Sequence, residues 1–326
     1  MWRYLTLLTF ALTGFTKLNE NPGQQFDVII LNGTIYDGSG TSPIIADIGI
    51  RYDTIAATGD LRNANAKTKI DATGMAVSPG FINMLSWADR TLLMDGRSMS
   101  DMKQGVTLEV FGEGFSPGPE KKTGRQASDT VWATLGEYFT YVMKKGVSPN
   151  IASFVGATSV RMHELDQANR APNAKELARM KKLVAQAMEE GALGLGSSLI
   201  YAPATFATTD ELIALAKVAS SYDGMYITHI RSEGDFILEA LDEAIQISEA
   251  ADIPVEIYHL KVNVPRNWNK IDRVLSKIDS ARAAGVRMTA NMYPYTASAT
   301  GLTSRLPAWA LEGGGKAMRK RLRNPA

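Results

Sequence analysis

Met225-Tyr226-Ile227-Thr228-His229 is a short apolar run that ends on a histidine, and Val255-Glu256-Ile257-Tyr258-His259 repeats the pattern 30 residues later. Between them Gly234 to Ala250 reads as an amphipathic helix. Asn291 to Tyr293 closes a further run, Val286 to Met292, after a similar interval and a second helix over Lys270 to Ala284, stopped by Gly285. Strand alternating with helix implies a parallel sheet. Equal steps of one strand-helix unit favour a (β/α)8-type barrel over an open doubly wound sheet.

Working outward, Ala174 to Glu190 carries Leu177, Met180, Leu183, Val184, Ala187 and Met188 at helical spacing and stops at Gly191. Thr208 and Glu211 form a capping box that opens another helix. Ala192 to Leu199 reads as a strand, and Phe81 to Trp87, Val106 to Gly112 and Ile151 to Thr158 as earlier ones. The barrel strands then end near Trp87, Gly112, Thr158, Leu199, His229, His259 and Tyr293, and an eighth is expected beyond Ala326. Residues 26–77 are different in kind: short strands and turn dipeptides such as Asn32-Gly33, without helical periods. The expected organisation is a signal and linker over 1–22, a small β-sandwich portion over 23–78 and an incomplete barrel over 79–326.

Composition removes whole classes of function. A chain of 326 residues exceeds one ordinary core. Lys plus Arg is 35 and Asp plus Glu 34, so a net charge of +1 gives no surplus for binding nucleic acid through its phosphates. A hydrophobic content of 45% with 21% charged residues is that of a folded protein. The absence of cysteine excludes disulfide scaffolds, cysteine zinc sites, iron–sulfur clusters and thiol nucleophiles. Glycines 191, 194 and 196 stand in the reverse of the dinucleotide-binding order.

At the N-terminus, Arg3 and the uncharged stretch Tyr4 to Thr16 resemble an export signal, too short for a stable membrane span; a cytoplasmic location is the alternative. Near the other end Lys316 to Arg323 is a basic turn that reads as a solvated helix face.

Chemistry in a barrel gathers at the carboxyl ends of strands. His229 and His259, two of only three histidines, sit at adjacent strand ends, where neutral imidazoles can address one metal ion. Glu113, framed by Gly112 and Gly114 after a strand, can complete a set of two histidines and one carboxylate. His163 has no partner at comparable spacing and reads as substrate-side or structural.

Several segments together carry a resemblance: FDVIILNGTIYDGSG from Phe26, SPGFIN at Ser78–Asn83, GVTLEVFGEG at Gly105–Gly114 and EGALGLGSSLIYAP at Glu190–Pro203. To these are added YITHIRSEG at Tyr226–Gly234, IYHLKV at Ile257–Val262 and NMYPYTASATGL at Asn291–Leu302. The chain resembles the amidohydrolase superfamily, and within it the N-acyl-D-amino-acid deacylase (D-aminoacylase) family. That resemblance implies zinc-dependent hydrolysis of the amide of a small N-acyl-D-amino acid, with His229 and His259 as metal ligands and Lys261, Tyr201 and Tyr295 as substrate-binding residues. It also shows departures. Leu85 and Trp87 stand where the superfamily has two first-strand histidines, which implies one zinc ion. Glu113 stands in the region where many relatives have a cysteine ligand. The family's general-base aspartate belongs to the eighth strand, so the base is expected beyond Ala326 and this chain alone is expected to be a poor catalyst.

Two other readings remain open on the residues. A cyclic-amide hydrolase of the dihydropyrimidinase or dihydroorotase kind would share the architecture but calls for a bridging lysine, and Ala192 to Pro203 has none. A non-catalytic exported binding protein on the same fold need hold no zinc, whereas any amidohydrolase should.

Overall fold

A computed structural model describes residues 25–121 and 130–323; the export signal read over Met1–Phe15 lies outside them. The chain divides into two compact units, Met1–Gly80 and Phe81–Ala326. Among the described residues no helix is long and apolar enough to cross a membrane.

The first unit is one five-stranded sheet. Its strands are β1 (Phe26–Ile35), β2 (Ile44–Arg51), β3 (Thr54–Gly59), β4 (Ala66–Asp71) and β5 (Ala76–Val77), in the order β3-β2-β1-β4 with β5 also on β1. Phe26, Ile29 and Leu61 form its buried cluster. Asn32-Gly33 is a bulge inside β1, not the turn its sequence predicts. Asn32 adopts φ +60 and its N–H donates to Asp47 Oδ1 at 2.7 Å, and a methyl group on Gly33 would lie 2.5 Å from Val77 Cγ2. Tertiary partners thus hold the dipeptide in an extended strand.

The second unit contains β6 (Phe81–Asn83), β7 (Val106–Phe111), β8 (Asn150–Ser153), β9 (Val155–Gly156), β10 (Gly194–Ser198), β11 (Met225–His229), β12 (Val255–Ile257) and β13 (Met288–Ala290). Every pairing among them is parallel. β8 and β9 are halves of one extended run: Phe154 N donates to Phe111 O at 2.9 Å, and Leu193 N donates to Ser153 O at 2.9 Å. The neighbours therefore run β6-β7-β8/β9-β10-β11-β12-β13, in chain order with no reversal. That is the succession of a barrel wall, whereas a doubly wound sheet reverses direction at its middle.

Both faces of this sheet are apolar. Phe111, Tyr226 and Ile257 join the large core shared with the helices, and Val110, Ile227 and Tyr258, one residue away, join Phe154 in a second cluster. Helices over Ala157–Leu165, Ala174–Glu189, Thr209–Ser220, Ile237–Ala251 and Ile271–Ala283 pack in succession along the outer face.

Two expectations need correction here. The run from Ile151 ends at Gly156, and a helix starts at Ala157, because the Gly114 carbonyl accepts from Thr158 N (2.9 Å) and Ser159 N (3.2 Å). The capping box at Thr208 is half made: Thr208 Oγ1 accepts from Glu211 N at 3.2 Å, but the Glu211 carboxylate does not return to the cap. It turns instead to Arg161, with Nη1 2.5 Å from Oε2, and both side chains are almost completely buried. Arg161 also donates to the carbonyls of Ala168 and Arg170, fixing the loop between two helices.

Removing one partner of a buried ion pair strands the other charge. Glu211→Ala is expected to lower stability by about 3–5 kcal/mol, read as a shifted urea midpoint, and replacing both partners with apolar residues is expected to recover much of that loss. Glu176 supplies a pH signature. Hydrogen bonds from Arg170, and then from the Asn173 N–H, hold its carboxyl down at about 2. A depressed folded value stabilises above the unfolded range of about 4.3 and is lost as pH falls toward the folded value. The stability deficit of Glu176→Gln should therefore be full at pH 7 and shrink steadily from pH 5 toward pH 2 in thermal melts.

Candidate metal centre

Glu113 reaches its place through the two glycines beside it. Gly112 (φ +108) and Gly114 (φ +75) adopt conformations that side chains disfavour, and there is no room for one: a methyl group on Gly112 would lie 2.5 Å from Phe154 O, and on Gly114 2.1 Å from Ser198 Oγ. The tight passage turns the carboxylate back toward the ends of β11 and β12. Glu113 Oε1 lies 2.7 Å from His229 Nδ1 and 3.3 Å from His259 Nε2. The two rings stand nearly perpendicular, at 86°, with centroids 4.4 Å apart. All three side chains are buried, at 5%, 4% and 7% relative exposure.

His259 stands just after β12 with φ +38, a left-handed conformation that costs a non-glycine residue free energy. Its N–H donates to Asn291 Oδ1 at 2.7 Å, and Asn291 Nδ2 donates to Glu256 Oε1 at 2.6 Å. The next strand end thus aims this imidazole. A second carboxylate completes the arrangement. Glu233 Oε1 lies 3.1 Å from His259 Nδ1 and 2.5 Å from Lys261 Nζ, and Oε2 accepts from Asn263 Nδ2 at 2.7 Å.

The charges explain one another. Burial by itself would depress His259, but its hydrogen bonds to Glu113 and Glu233 raise it to about 9. Burial likewise works to raise both glutamates, and the imidazoles (with Lys261 in the case of Glu233) overcome it and hold them below the ordinary carboxylate range. Two buried carboxylates around two imidazoles require positive charge between them, which a proton or a metal cation can supply. The donor set fits a cation. Glu113, His229 and His259 each offer one ligand atom, all within 4.8 Å of one another. Zinc bonds of about 2.0–2.2 Å place tetrahedral donors roughly 3.4 Å apart, close to the Glu113–His259 spacing.

The centre opens into a cavity of about 840 Å³. Lys261, Tyr201 and Tyr295 all line it. Lys261 Nζ is 3.1 Å from His259 Nδ1 and 5.5 Å from the Tyr293 ring. Tyr201 sets its ring edge-on to His229, centroids 5.3 Å apart, and its hydroxyl meets Thr300 Oγ1 at 2.9 Å. Tyr295 lies farther out, 64% exposed and stacked at 6.2 Å on Tyr293. Leu85 and Trp87 also face the cavity and contribute no ligand atom. His163 is elsewhere, on the helix Ala157–Leu165 beside Glu164.

Sequence reasoning passed over Glu233 and Asn291, although both lie inside segments quoted above. The signal for Glu233 was available in principle. A histidine that binds a metal through one nitrogen presents the other to a carboxylate or carbonyl, so a second acid near His229 or His259 was to be sought. Asn291 gave no such signal, because its role depends on the register between β12 and β13.

No family model matches the chain. Individual proteins do. D-aminoacylase of Alcaligenes xylosoxydans xylosoxydans is 34% identical over 292 residues, which are 87% of this chain and 60% of that protein. N-acyl-D-glutamate deacylase of the same organism is 34% identical over 285 residues, 85% of this chain and 58% of that one. Among solved structures, the N-acyl-D-glutamate deacylase of Bordetella bronchiseptica, complexed with zinc and a phosphonate mimic of the tetrahedral intermediate, aligns with a TM-score of 0.78 at 31% identity. The alignment covers 83% of this chain and 59% of that one. The chain thus spans about three fifths of the length of the relatives it matches. Sequence and structure agree that it belongs to the D-aminoacylase (N-acyl-D-amino-acid deacylase) family of the amidohydrolases.

Proposed function

We propose that this chain provides the metal centre and part of the substrate pocket of an enzyme that hydrolyses the amide bond of N-acyl-D-amino acids, releasing a carboxylate and a free D-amino acid. The observation that carries the reading is the convergence of Glu113, His229 and His259 at the floor of a cavity with Lys261 beside them. The relatives are deacylases of such compounds by name, and one solved relative holds zinc.

We assign the three converging residues as ligands of one zinc ion. Leu85 and Trp87, lining the cavity, offer a second ion no donor. Bound zinc supplies Lewis-acid polarisation of a carbonyl and a water acidic enough to ionise near neutral pH. The protein's own groups do the rest of the positioning. Glu233 accepts from His259 Nδ1, leaving Nε2 free to face the ion. The Lys261 ammonium, a compact charge close to the ligands, takes the substrate's α-carboxylate. The Tyr201 hydroxyl, whose ionisation burial opposes, stays protonated and donates to the amide oxygen. Tyr295, at the rim, closes over the substrate's outer part. The same reading includes export, on the strength of Arg3 and the uncharged stretch after it.

Metal analysis of the purified chain should find about one zinc, absent from the His229→Ala, His259→Ala double variant. The zinc-loaded chain should bind an N-acetyl-D-amino acid in preference to its L enantiomer. A chain that takes up zinc and binds neither enantiomer would falsify the assignment. Glu233→Gln should keep the fold and weaken zinc binding roughly 10- to 100-fold, as measured by competition with a chelating dye.

A further inference from the structure

Next to the metal centre lies a polar atom that the reaction as proposed does not use. Tyr258 immediately precedes His259 and is 1% exposed, and its hydroxyl is buried with no hydrogen-bond partner among the described residues. Its company is otherwise apolar: Val110, Phe154 and Ile227 share its cluster, with Met84 and Leu85 packed against it. A phenylalanine would fill this space without leaving a buried donor unpaired, so the oxygen calls for an explanation. Consecutive strand residues ordinarily point to opposite faces. Here the left-handed backbone of His259 sets its ring 6.1 Å from that of Tyr258. Leu85 also lines the cavity, so the cluster is continuous with the cavity wall.

Burial, and then the negative charges of Glu113 and Glu256, keep this hydroxyl protonated and therefore a donor. Of the two carboxylates only one has an oxygen to spare. Both oxygens of Glu256 are engaged from β13, Oε1 by Asn291 Nδ2 at 2.6 Å and Oε2 by Thr289 Oγ1 at 3.0 Å. Glu113 is asymmetric: its Oε1 meets both imidazoles, and its Oε2 has no hydrogen-bond partner among the described residues. A carboxylate that holds an ion through one oxygen offers the other to a neighbouring donor, and that neighbour fixes the direction of the ligand. His259 already has such support from Glu233 and Asn291. We infer that Tyr258 is a positioning residue of the metal centre, its hydroxyl donating to Glu113 Oε2 in the zinc-bound chain and directing that carboxylate toward the ion. This rests on the zinc assignment and adds to it an orienting partner for the carboxylate ligand.

The test compares the full chain with its Tyr258→Phe variant, which removes only the oxygen. Without metal, the variant should melt at the same temperature or higher, because the hydroxyl it loses has no partner. Its zinc affinity, measured by competition with a chelating dye, should fall roughly 10-fold or more, the effect of removing a group that orients a ligand. With cobalt(II) in place of zinc, its visible absorption bands should shift, because they follow the arrangement of the ligands. A packing role would move neither readout. Unchanged cobalt bands, or unchanged zinc affinity, would overturn the inference and leave the zinc assignment standing. A lower melting temperature of the metal-free variant would overturn it as well, since the hydroxyl would then have a partner in the absence of the ion. If the unmodified chain takes up neither metal, the zinc assignment and this inference fall together.

Discussion

Two carboxylates and two imidazoles are buried within contact of one another at the ends of β11 and β12, and positive charge has to lie among them. Glu113 approaches both rings from one side, and Glu233 contacts His259 on its other nitrogen. Burial disfavours the charged forms of Glu113, Glu233 and His259, yet the mutual contacts keep both glutamates ionised and raise His259. A site built this way is matched to a cation. The surrounding structure is arranged to keep these four side chains at that spacing.

Three kinds of support do so. Parallel strands in chain order bring residues distant in sequence to one edge, so that His229 and His259 are neighbours because β11 and β12 pair. Glycines 112 and 114 let the loop carrying Glu113 pass against the backbone and side chains of Phe154 and Ser198. Hydrogen bonds from the next strand then set orientation: Asn291 holds the left-handed backbone of His259. The apolar packing on both faces of the sheet makes this edge rigid, and a rigid edge lets small distances decide chemistry.

The cavity above the centre divides its charges by task. Lys261 is tied to Glu233 and to the ligand His259, so it belongs electrically to the metal centre. Arg231 and Arg266 are neutralised by carboxylates and brace the loops around the opening.

Much of this was legible in the sequence, and the reason is local periodicity. Helix and strand spacing, together with histidines repeating at one strand-helix interval, are properties of neighbours along the chain, so seven parallel strand positions and the residues His229, His259 and Glu113 could be read directly. What could not be read depended on partners far away in the chain. Asn32-Gly33 forms a bulge because Asp47 and Val77 hold it. Glu211 abandons its cap for Arg161, 50 residues away, because a buried guanidinium needs a carboxylate more than an exposed helix start needs a second hydrogen bond. Glu233 and Asn291 orient His259 only once three strand ends lie side by side. Sequence by itself determined the elements and the chemical types of the ligands, because those follow from spacing and side-chain chemistry. Tertiary structure alone decided which polar groups meet, because burial makes an unpaired charge or donor costly and the fold chooses the partner that removes the cost.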